Sequence, residues 1–434
     1  MVEEVKREVV IRRVVAGKLS VAEAAPLLGL SARQVWRLRS RYVEQGPSAL
    51  AHGNRGRVPA NKIGDALREK IVRLARSKYA GVNDSHLAEL LNEREHLEIS
   101  RRTLQRVLRT AGLASPRRHR APRYRSRRAR AAHAGAMVLV DGSRHRWFGS
   151  AHPYATCIAA IDDATSQVVG ACFREQEDAA GYFTVLGQML QTTGAPLALY
   201  SDRHGVFWRS ARERPSREEE LAGERLPTQF GRALGECGTE AIFANSPQAK
   251  GRIERLWGTW QDRLYQELRL AGVGDIDAAN HFLAQYVPRH NARFAVIAAT
   301  GEPVWRALPD GRCVDDVCCF KYVRVVAPDN TVRLGGMVVQ LPPRSAHWSW
   351  AAQRVEARQH LDGSWSVHAS DGRELVRTAV PIGGVKLLAQ SYMRSPIAGV
   401  PPLPWRPGSD HPWKNDRRTR VSAAQRRLII AGQA

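Results

Sequence analysis

Apolar positions recur at three different rhythms along this chain, and each rhythm predicts a different kind of structure. Through the first third the spacing is helical. Ser20-Val21-Ala22-Glu23 and Ser31-Ala32-Arg33-Gln34 both fit the capping-box pattern, in which a hydroxyl and a side chain three residues on satisfy orphan N–H groups at a helix start. Between them, Leu27-Leu28-Gly29-Leu30 supplies a tight turn with glycine at the helix exit. Two short helices across such a turn predict a helix-turn-helix, with Val35, Leu38 and Tyr42 facing inward. A second unit follows the linker Gly53-Asn54-Arg55-Gly56-Arg57-Val58-Pro59. Leu87, Leu90 and Leu91 suggest one of its helices, and Ser100 caps another that turns Leu104, Val107 and Leu108 inward.

In the middle of the chain the apolar residues gather into short continuous runs, as buried strands do. Met137-Val138-Leu139-Val140 ends at Asp141, residues 155–161 and 167–173 flank a turn at Asp162-Asp163-Ala164-Thr165-Ser166, and Leu197-Ala198-Leu199-Tyr200 runs toward Asp202. Ala179, Tyr182, Phe183, Leu186 and Leu190 keep helical spacing before that last strand. The order predicts a mixed sheet flanked by helices. One of those helices opens at Asn245-Ser246-Pro247, with serine as cap and proline in the first turn, and buries Ile253, Leu256, Trp257, Trp260 and Leu264. Its other face carries Lys250, Gly251, Glu254, Gly258 and Gln261.

Beyond residue 310 the period becomes two. Residues 321–326, 331–334 and 337–341 read as strands, and Asp362-Gly363 and Ser370-Asp371-Gly372 sit between alternating runs as hairpin turns. A small β-barrel is expected there, followed from about residue 390 by a basic, largely disordered tail with one short helix near 422–431.

Charge sharpens this division. The 434 residues carry a formal net charge of +24, but residues 1–135 hold 30 Lys+Arg against 12 Asp+Glu, whereas residues 136–310 hold 18 against 21. A basic flank beside a carboxylate-bearing centre fits a protein that grips a polyanion and collects cations. On the first predicted helix-turn-helix, Arg33, Arg37 and Arg41 repeat on the outward face beside Gln34, placed to enter a major groove or clamp its phosphates. Arg102, Arg106 and Arg109 do the same on the second. Arg117, Arg118, Arg120, Arg123, Arg125, Arg127 and Arg128 then crowd a segment that cannot bury a core and reads as an arm that tracks phosphates. The expected partner is double-stranded DNA.

Six cysteines occur without CxxC pairing or zinc-finger spacing, so reduced thiols of a cytosolic protein are expected. The chain's start lacks an apolar signal core, and no stretch approaches 18 uninterrupted apolar residues, so no membrane partner is expected.

Three carboxylates stand where metal-dependent nucleotidyl transfer needs them: Asp141 and Asp202 at strand ends, and Glu254 one turn into a helix. Such chemistry uses two Mg²⁺ ions roughly 3.5–4 Å apart, held by converging carboxylates on a rigid scaffold. Lys250, Arg252, Arg255 and Gln248 surround Glu254 and could position phosphates.

Together, Val140-Asp141-Gly142-Ser143, Ile161-Asp162-Asp163-Ala164-Thr165-Ser166, Tyr200-Ser201-Asp202-Arg203-His204, Thr228-Gln229-Phe230 and the run from Asn245 to Arg255 resemble the integrase core of DDE transposases. The resemblance is strongest to the ISNCY group of bacterial insertion sequences and covers the chain from the first helix-turn-helix to about residue 305. It implies a ribonuclease-H-like core in which Asp141, Asp202 and Glu254 form a catalytic triad holding two Mg²⁺ or Mn²⁺ ions. It further implies cleavage of DNA 3′ ends and strand transfer by an oligomer on paired ends, in a bacterial cytoplasm beside the nucleoid. Against retroviral integrases, the interval from Asp202 to Glu254 is longer by a polar stretch at 209–227, and their His/Cys zinc domain has no counterpart. The C-terminal barrel is similar to those of other transposases.

The expected organisation is multidomain: helix-turn-helix domains at 1–55 and 60–115, a basic arm at 116–135, the α/β core at 136–305, a barrel at 312–382 and the tail at 390–434. Two other readings compete: a DNA-binding regulator derived from such an enzyme, without turnover, and a nuclease of RNA–DNA hybrids. The intact triad disfavours the first and the tandem duplex-reading units the second.

Overall fold

The computed structural model describes residues 2–50, 63–116, 128–208, 226–243, 250–334, 336–344 and 349–379. The linker at 53–59, the arm from Arg117 to Arg127, most of the polar stretch at 209–227, Ser246 to Gln248 and the C-terminal tail lie outside the described residues. The chain divides into two compact units, residues 1–77 with 107–112, and residues 78–106 with 113–434.

The first unit begins with three helices, α1 (Val2–Val15), α2 (Val21–Leu28) and α3 (Ala32–Gln45). Both capping boxes form. Ser20 accepts from the Glu23 amide and Glu23 answers the Ser20 amide, and Ser31 and Gln34 repeat the exchange at α3. Gly29 ends α2 in the left-handed region at φ 61°, where a side chain would be strained. The helices close over Val10, Ile11, Val14, Ala24, Val35 and Leu50, leaving Arg33, Gln34, Arg37 and Arg41 exposed. α4 (Asp65–Arg76) belongs to the same unit.

In the second unit, α5 (Asp84–Glu95) is capped by Asn83. α6 (Arg101–Thr110) is capped by Ser100, and its last turn falls in the first unit. The segment expected as a second helix-turn-helix is thus divided between the two units. Leu104, Val107 and Leu108 are buried on α6, and Arg102, Arg106 and Arg109 are exposed.

Among the described residues the core sheet has five strands: β1 (Met137–His145), β2 (Ala155–Asp162), β3 (Val168–Arg174), β4 (Ala198–Ser201) and β5 (Glu240–Phe243), in the order β3-β2-β1-β4-β5. β1, β2 and β3 pair antiparallel, and β4 and β5 add in parallel, so the sheet is mixed as expected. β2 is buried along its whole length because both faces of the sheet are covered.

On one face lie α7 (Ala179–Thr192) and α8 (Gln229–Glu236), packed on Val138, Val140, Ile158 and Leu199. α7 comes unusually close: a Cβ on Gly170 would stand 2.6 Å from the Val185 carbonyl oxygen. The other face carries α9 (Gly251–Trp260), α10 (Leu264–Leu270) and α11 (Ile276–Phe294), packed on Met137, Leu139, Ala159 and Ile161. The helix α5 is fastened to this side. Glu267 accepts from His86 Nε2 at 2.9 Å and pairs with Arg94, Arg263 donates twice to Glu89, and Asn83 donates to Asp262.

After α12 (Val314–Val317), β6 (Phe320–Val325), β9 (Arg354–Gln359), β10 (Trp365–His368) and β11 (Glu374–Arg377) form a four-stranded antiparallel sheet, and β7 (Thr331–Leu334) pairs with β8 (Met337–Gln340). These strands do not stand alone. Phe320 packs edge-on to Phe183 of α7 at 5.1 Å, Gln229 bonds both backbone groups of Lys321, and Glu236 accepts from the Lys321 ammonium. One apolar cluster runs from the sheet through α7 into the C-terminal strands. All six cysteines are free, and no helix among the described residues is long and apolar enough to cross a membrane.

Candidate active site

Strand register brings Asp141 and Asp202 together. β1 and β4 run parallel with Met137 opposite Ala198 and Leu139 opposite Tyr200. Carried two residues further, that register sets Asp141 beside Asp202. Alternation puts both on the face of Leu139 and Tyr200; Asp202 follows the carboxyl end of β4, whereas Asp141, expected at a strand end, lies in the middle of β1, which runs on to His145 in antiparallel pairing with β2.

A single ammonium joins them. Lys250, the residue before α9, is only 9% exposed and sets its Nζ 2.9 Å from Asp141 Oδ1 and 3.0 Å from Asp202 Oδ2. The remaining oxygens are occupied by neutral donors: the Trp257 indole N–H donates to Asp141 Oδ2, and the His204 amide donates to Asp202 Oδ1, each at 2.9 Å. Burial opposes the charge on Lys250, but the two aspartates outweigh it and hold the ammonium above the ordinary lysine range. Burial likewise opposes ionised Asp202, yet Lys250 and the His204 amide keep that carboxyl below its usual range.

A further carboxylate approaches from the opposite face. Glu177 lies against the backbone of Gly142, where a Cβ would come within 2.7 Å of the carboxyl group, so a side chain at 142 would push Glu177 aside. The Tyr182 hydroxyl donates to Glu177 at 2.5 Å, and His204 Nδ1 is 4.0 Å away. Burial pushes the Tyr182 hydroxyl well up, and the charges of Glu177, Asp141 and Asp202 add to that shift. The three carboxylates therefore share one electrostatic neighbourhood.

Glu254 follows Lys250 by one turn of α9 and is exposed. Lys250, expected on the same outer face, is instead turned inward to the aspartates. Among the described residues, no group of three His, Cys, Asp or Glu side chains is placed to hold a metal ion. The pair Asp141 and Asp202 does fit a cation, because a cation already stands between them: the lysine ammonium.

The other residues expected at the site have mixed placements. Arg252 is nearly buried and pairs with Asp163, which is fully buried and also accepts from Arg128 and the Ala131 amide. Arg255 is exposed. Asp162 serves the turn, accepting from Thr165 and from the Gly135 amide. Three site neighbours escaped sequence reasoning: Trp257, whose apolar spacing hid its indole donor, together with His204 and Glu177. A buried Trp N–H needs a partner, and that was the available signal for the first. Trp36 on α3 is 52% exposed with the Arg39 guanidinium 5.0 Å from its ring centre, adding an aromatic to the outward face of α3.

Comparison with known proteins places these features in a family. Residues 1–51 match the profile of a homeodomain-like domain. Over 367 residues, 84% of this chain and 78% of the relative, the sequence is 35% identical to y4bF of Sinorhizobium fredii, named as a transposase. Over 326 residues, 67% of this chain and 68% of the relative, it is 33% identical to the transposase for insertion sequence IS1202 of Streptococcus pneumoniae. Among solved structures, a simian T-cell lymphotropic virus intasome aligns with 72% of this chain and all of its own at 13% identity and a TM-score of 0.29. The Mos1 strand transfer complex aligns with 68% of this chain and 98% of its own at 14% identity and a TM-score of 0.17. Scores this low lend no weight to the fold, which stands on the strand order itself.

Proposed function

Because the chain belongs to the transposases of bacterial insertion sequences, we propose that it binds the terminal inverted repeats of its element, cleaves their 3′ ends and joins them to target DNA. The observation that carries this reading is the pairing of Asp141 and Asp202 across β1 and β4 around one cation position. Asp141, Asp202 and Glu254 are the carboxylates proposed to act; Glu254, exposed in the first turn of α9, is proposed to join the pair when metal and DNA are bound. Asp141 and Asp202 would hold a divalent ion, Mg²⁺ or Mn²⁺, at the position of the Lys250 ammonium, and the proposed full complement is two ions. Such ions supply nucleophile activation and stabilisation of the leaving oxygen in phosphodiester chemistry.

The chain's own residues prepare the site in definite ways. The Trp257 indole and the His204 amide each hold one carboxylate oxygen, fixing the rotation of both aspartates. Glu177, held by Tyr182, adds negative potential that favours cations. Lys250, and Arg255 exposed beside Glu254, would meet phosphate oxygens by charge-assisted hydrogen bonds. The arginine row of α3 would take the major groove or its phosphates, and the arm from Arg117 onward the flanking backbone. The proposed layout keeps two DNA-gripping helical domains, the ribonuclease-H-like core and a C-terminal β domain as a small barrel, working as a homo-oligomer on paired ends in the cytoplasm.

Incubation with labelled element ends and Mg²⁺ or Mn²⁺ tests the reading. Nicked or joined products that vanish in Asp141→Asn and Glu254→Gln support it. Full strand transfer by either variant, or binding without any product from the wild-type protein, overturns it.

A further inference from the structure

Between them, the two aspartates have four carboxylate oxygens, and the structure accounts for each. Asp141 Oδ2 accepts from Trp257 and Asp202 Oδ1 accepts from His204, while Asp141 Oδ1 and Asp202 Oδ2 turn toward each other and share Lys250 Nζ. The outer pair is held by neutral donors that belong to the scaffold, a buried indole and a backbone amide. The inner pair is the one available to an incoming cation, and its present occupant is the end of a flexible side chain. From this geometry we infer that Lys250 is a built-in counter-cation: a divalent ion binds by taking Asp141 Oδ1 and Asp202 Oδ2 from it, and the released ammonium is then free for a DNA phosphate. This rests on the proposal that the two aspartates hold a metal.

Charge makes the exchange reasonable. Two carboxylates facing each other without a cation repel strongly in a partly buried site, so the metal-free protein needs a positive group there. Lys250 supplies one charge where the metal would supply two, and an ammonium on a four-carbon stem can leave by bond rotation without moving α9. Both cations cannot use the same lone pairs. A phosphate that draws Lys250 outward would also clear the inner oxygens, so DNA and metal should each raise the other's affinity, by the same factor.

The test uses the full-length protein and Mn²⁺, followed by the electron paramagnetic resonance signal of the free ion. Lys250→Met should tighten Mn²⁺ binding about tenfold, Arg289→Gln, an exposed cation of α11, should change it little, and Asp141→Asn should remove the binding. In the wild-type protein, acetylation of Lys250 by an amine-reactive reagent, read by mass spectrometry, should be slow without metal and rise severalfold with Mn²⁺. That second measurement needs no variant to fold. Unchanged or weaker binding in Lys250→Met, an equal gain in Arg289→Gln, or a lysine still protected in saturating Mn²⁺ overturns the inference while leaving an Asp141-dependent metal site intact. If no Asp141-dependent Mn²⁺ binding occurs in any variant, the metal reading itself fails and the exchange falls with it.

Discussion

The cations of α3 and those of the sheet core are the same residue types put to opposite uses. On α3, Arg33, Arg37 and Arg41 stand in solvent on a helix whose own stability comes from Val35 beneath and from the cap at Ser31. In the core, Lys250, Arg252, Arg263 and Lys321 are each held by an acidic partner: Asp141 and Asp202, Asp163, Glu89, and Glu236 in turn. A solvated arginine costs the fold little to keep and can be given wholly to a ligand. Arg252, Arg263 and Lys321 are committed to their carboxylates, because removing either partner strands a charge in a poor solvent, and Lys250 alone of the four is proposed to change partner. The contrast predicts that α3 substitutions change DNA binding without changing stability, and that substitutions at Arg252, Arg263 or Lys321 change stability without changing DNA grip.

The largest effect should come from Asp141. Asp141→Asn keeps the shape and the Trp257 contact but removes the charge, and we expect end cleavage to fall about 10⁴-fold or more, with terminal-repeat affinity in a metal-free gel-shift assay changed little. Loss of binding in parallel with cleavage would break the separation between the two regions.

Next in size is a pH effect confined to the core. His290 lies between Trp260, which donates to its Nδ1, and the charge of Arg263. Burial first and Arg263 second press its pKa from 6.5 to about 4. The unfolded chain therefore binds a proton that the folded core refuses, so stability falls as pH drops through the window from 6.5 to about 4 and is fully present above it. The histidine accounts for about 3 kcal/mol of that loss. Urea unfolding of the wild type against His290→Gln across this range should show the variant's profile flatter by that amount, and parallel profiles would refute it.

Much of this was legible in the sequence where the determinants are local. Ser20 with Glu23, Ser31 with Gln34 and the turn at Gly29 lie within a few residues of each other, and all formed. Asp202 was legible as the polar end of an apolar run, whereas Asp141, read the same way, lies in the middle of β1, because pairing with β2 carries that strand on to His145. The rest depended on partners distant in sequence. Nothing near Arg252 indicates that Asp163, 89 positions earlier, lies beneath it. Lys250 reads as a helix-face residue until β1 and β4 are set side by side. The period-two strands past 310 suggested a separate barrel because no local signal reveals that Phe320 packs on Phe183.

Arg252 and Arg37 then give a direct cross-check. Arg252→Ala should cost about 2 kcal/mol in urea unfolding, less than the loss of a whole buried pair because Arg128 still answers Asp163, with no change in the salt dependence of DNA binding. Arg37→Ala should leave stability within about 0.5 kcal/mol and lower the slope of log affinity against log salt by about 0.9. Interchanged results would mean that Arg252 faces the DNA and Arg37 the fold.

The smallest effect is the most discriminating, because it falls on a residue that stands among the outward arginines of α3 but is engaged in the fold. Gln34 lies on the exposed face of α3 among the arginines, yet its side-chain oxygen accepts from the Ser31 amide at 2.9 Å and the Ser31 hydroxyl at 3.1 Å. A side chain engaged in a cap is not free to read a base. Gln34→Ala should therefore behave like a core substitution in miniature, lowering the stability of the N-terminal helices by about 0.5–1 kcal/mol, as Ser31→Ala would, while base preference in a binding-site selection stays as it was. A shift in base preference without loss of stability would return Gln34 to the DNA-reading surface and show that the cap opens when the helix enters the groove.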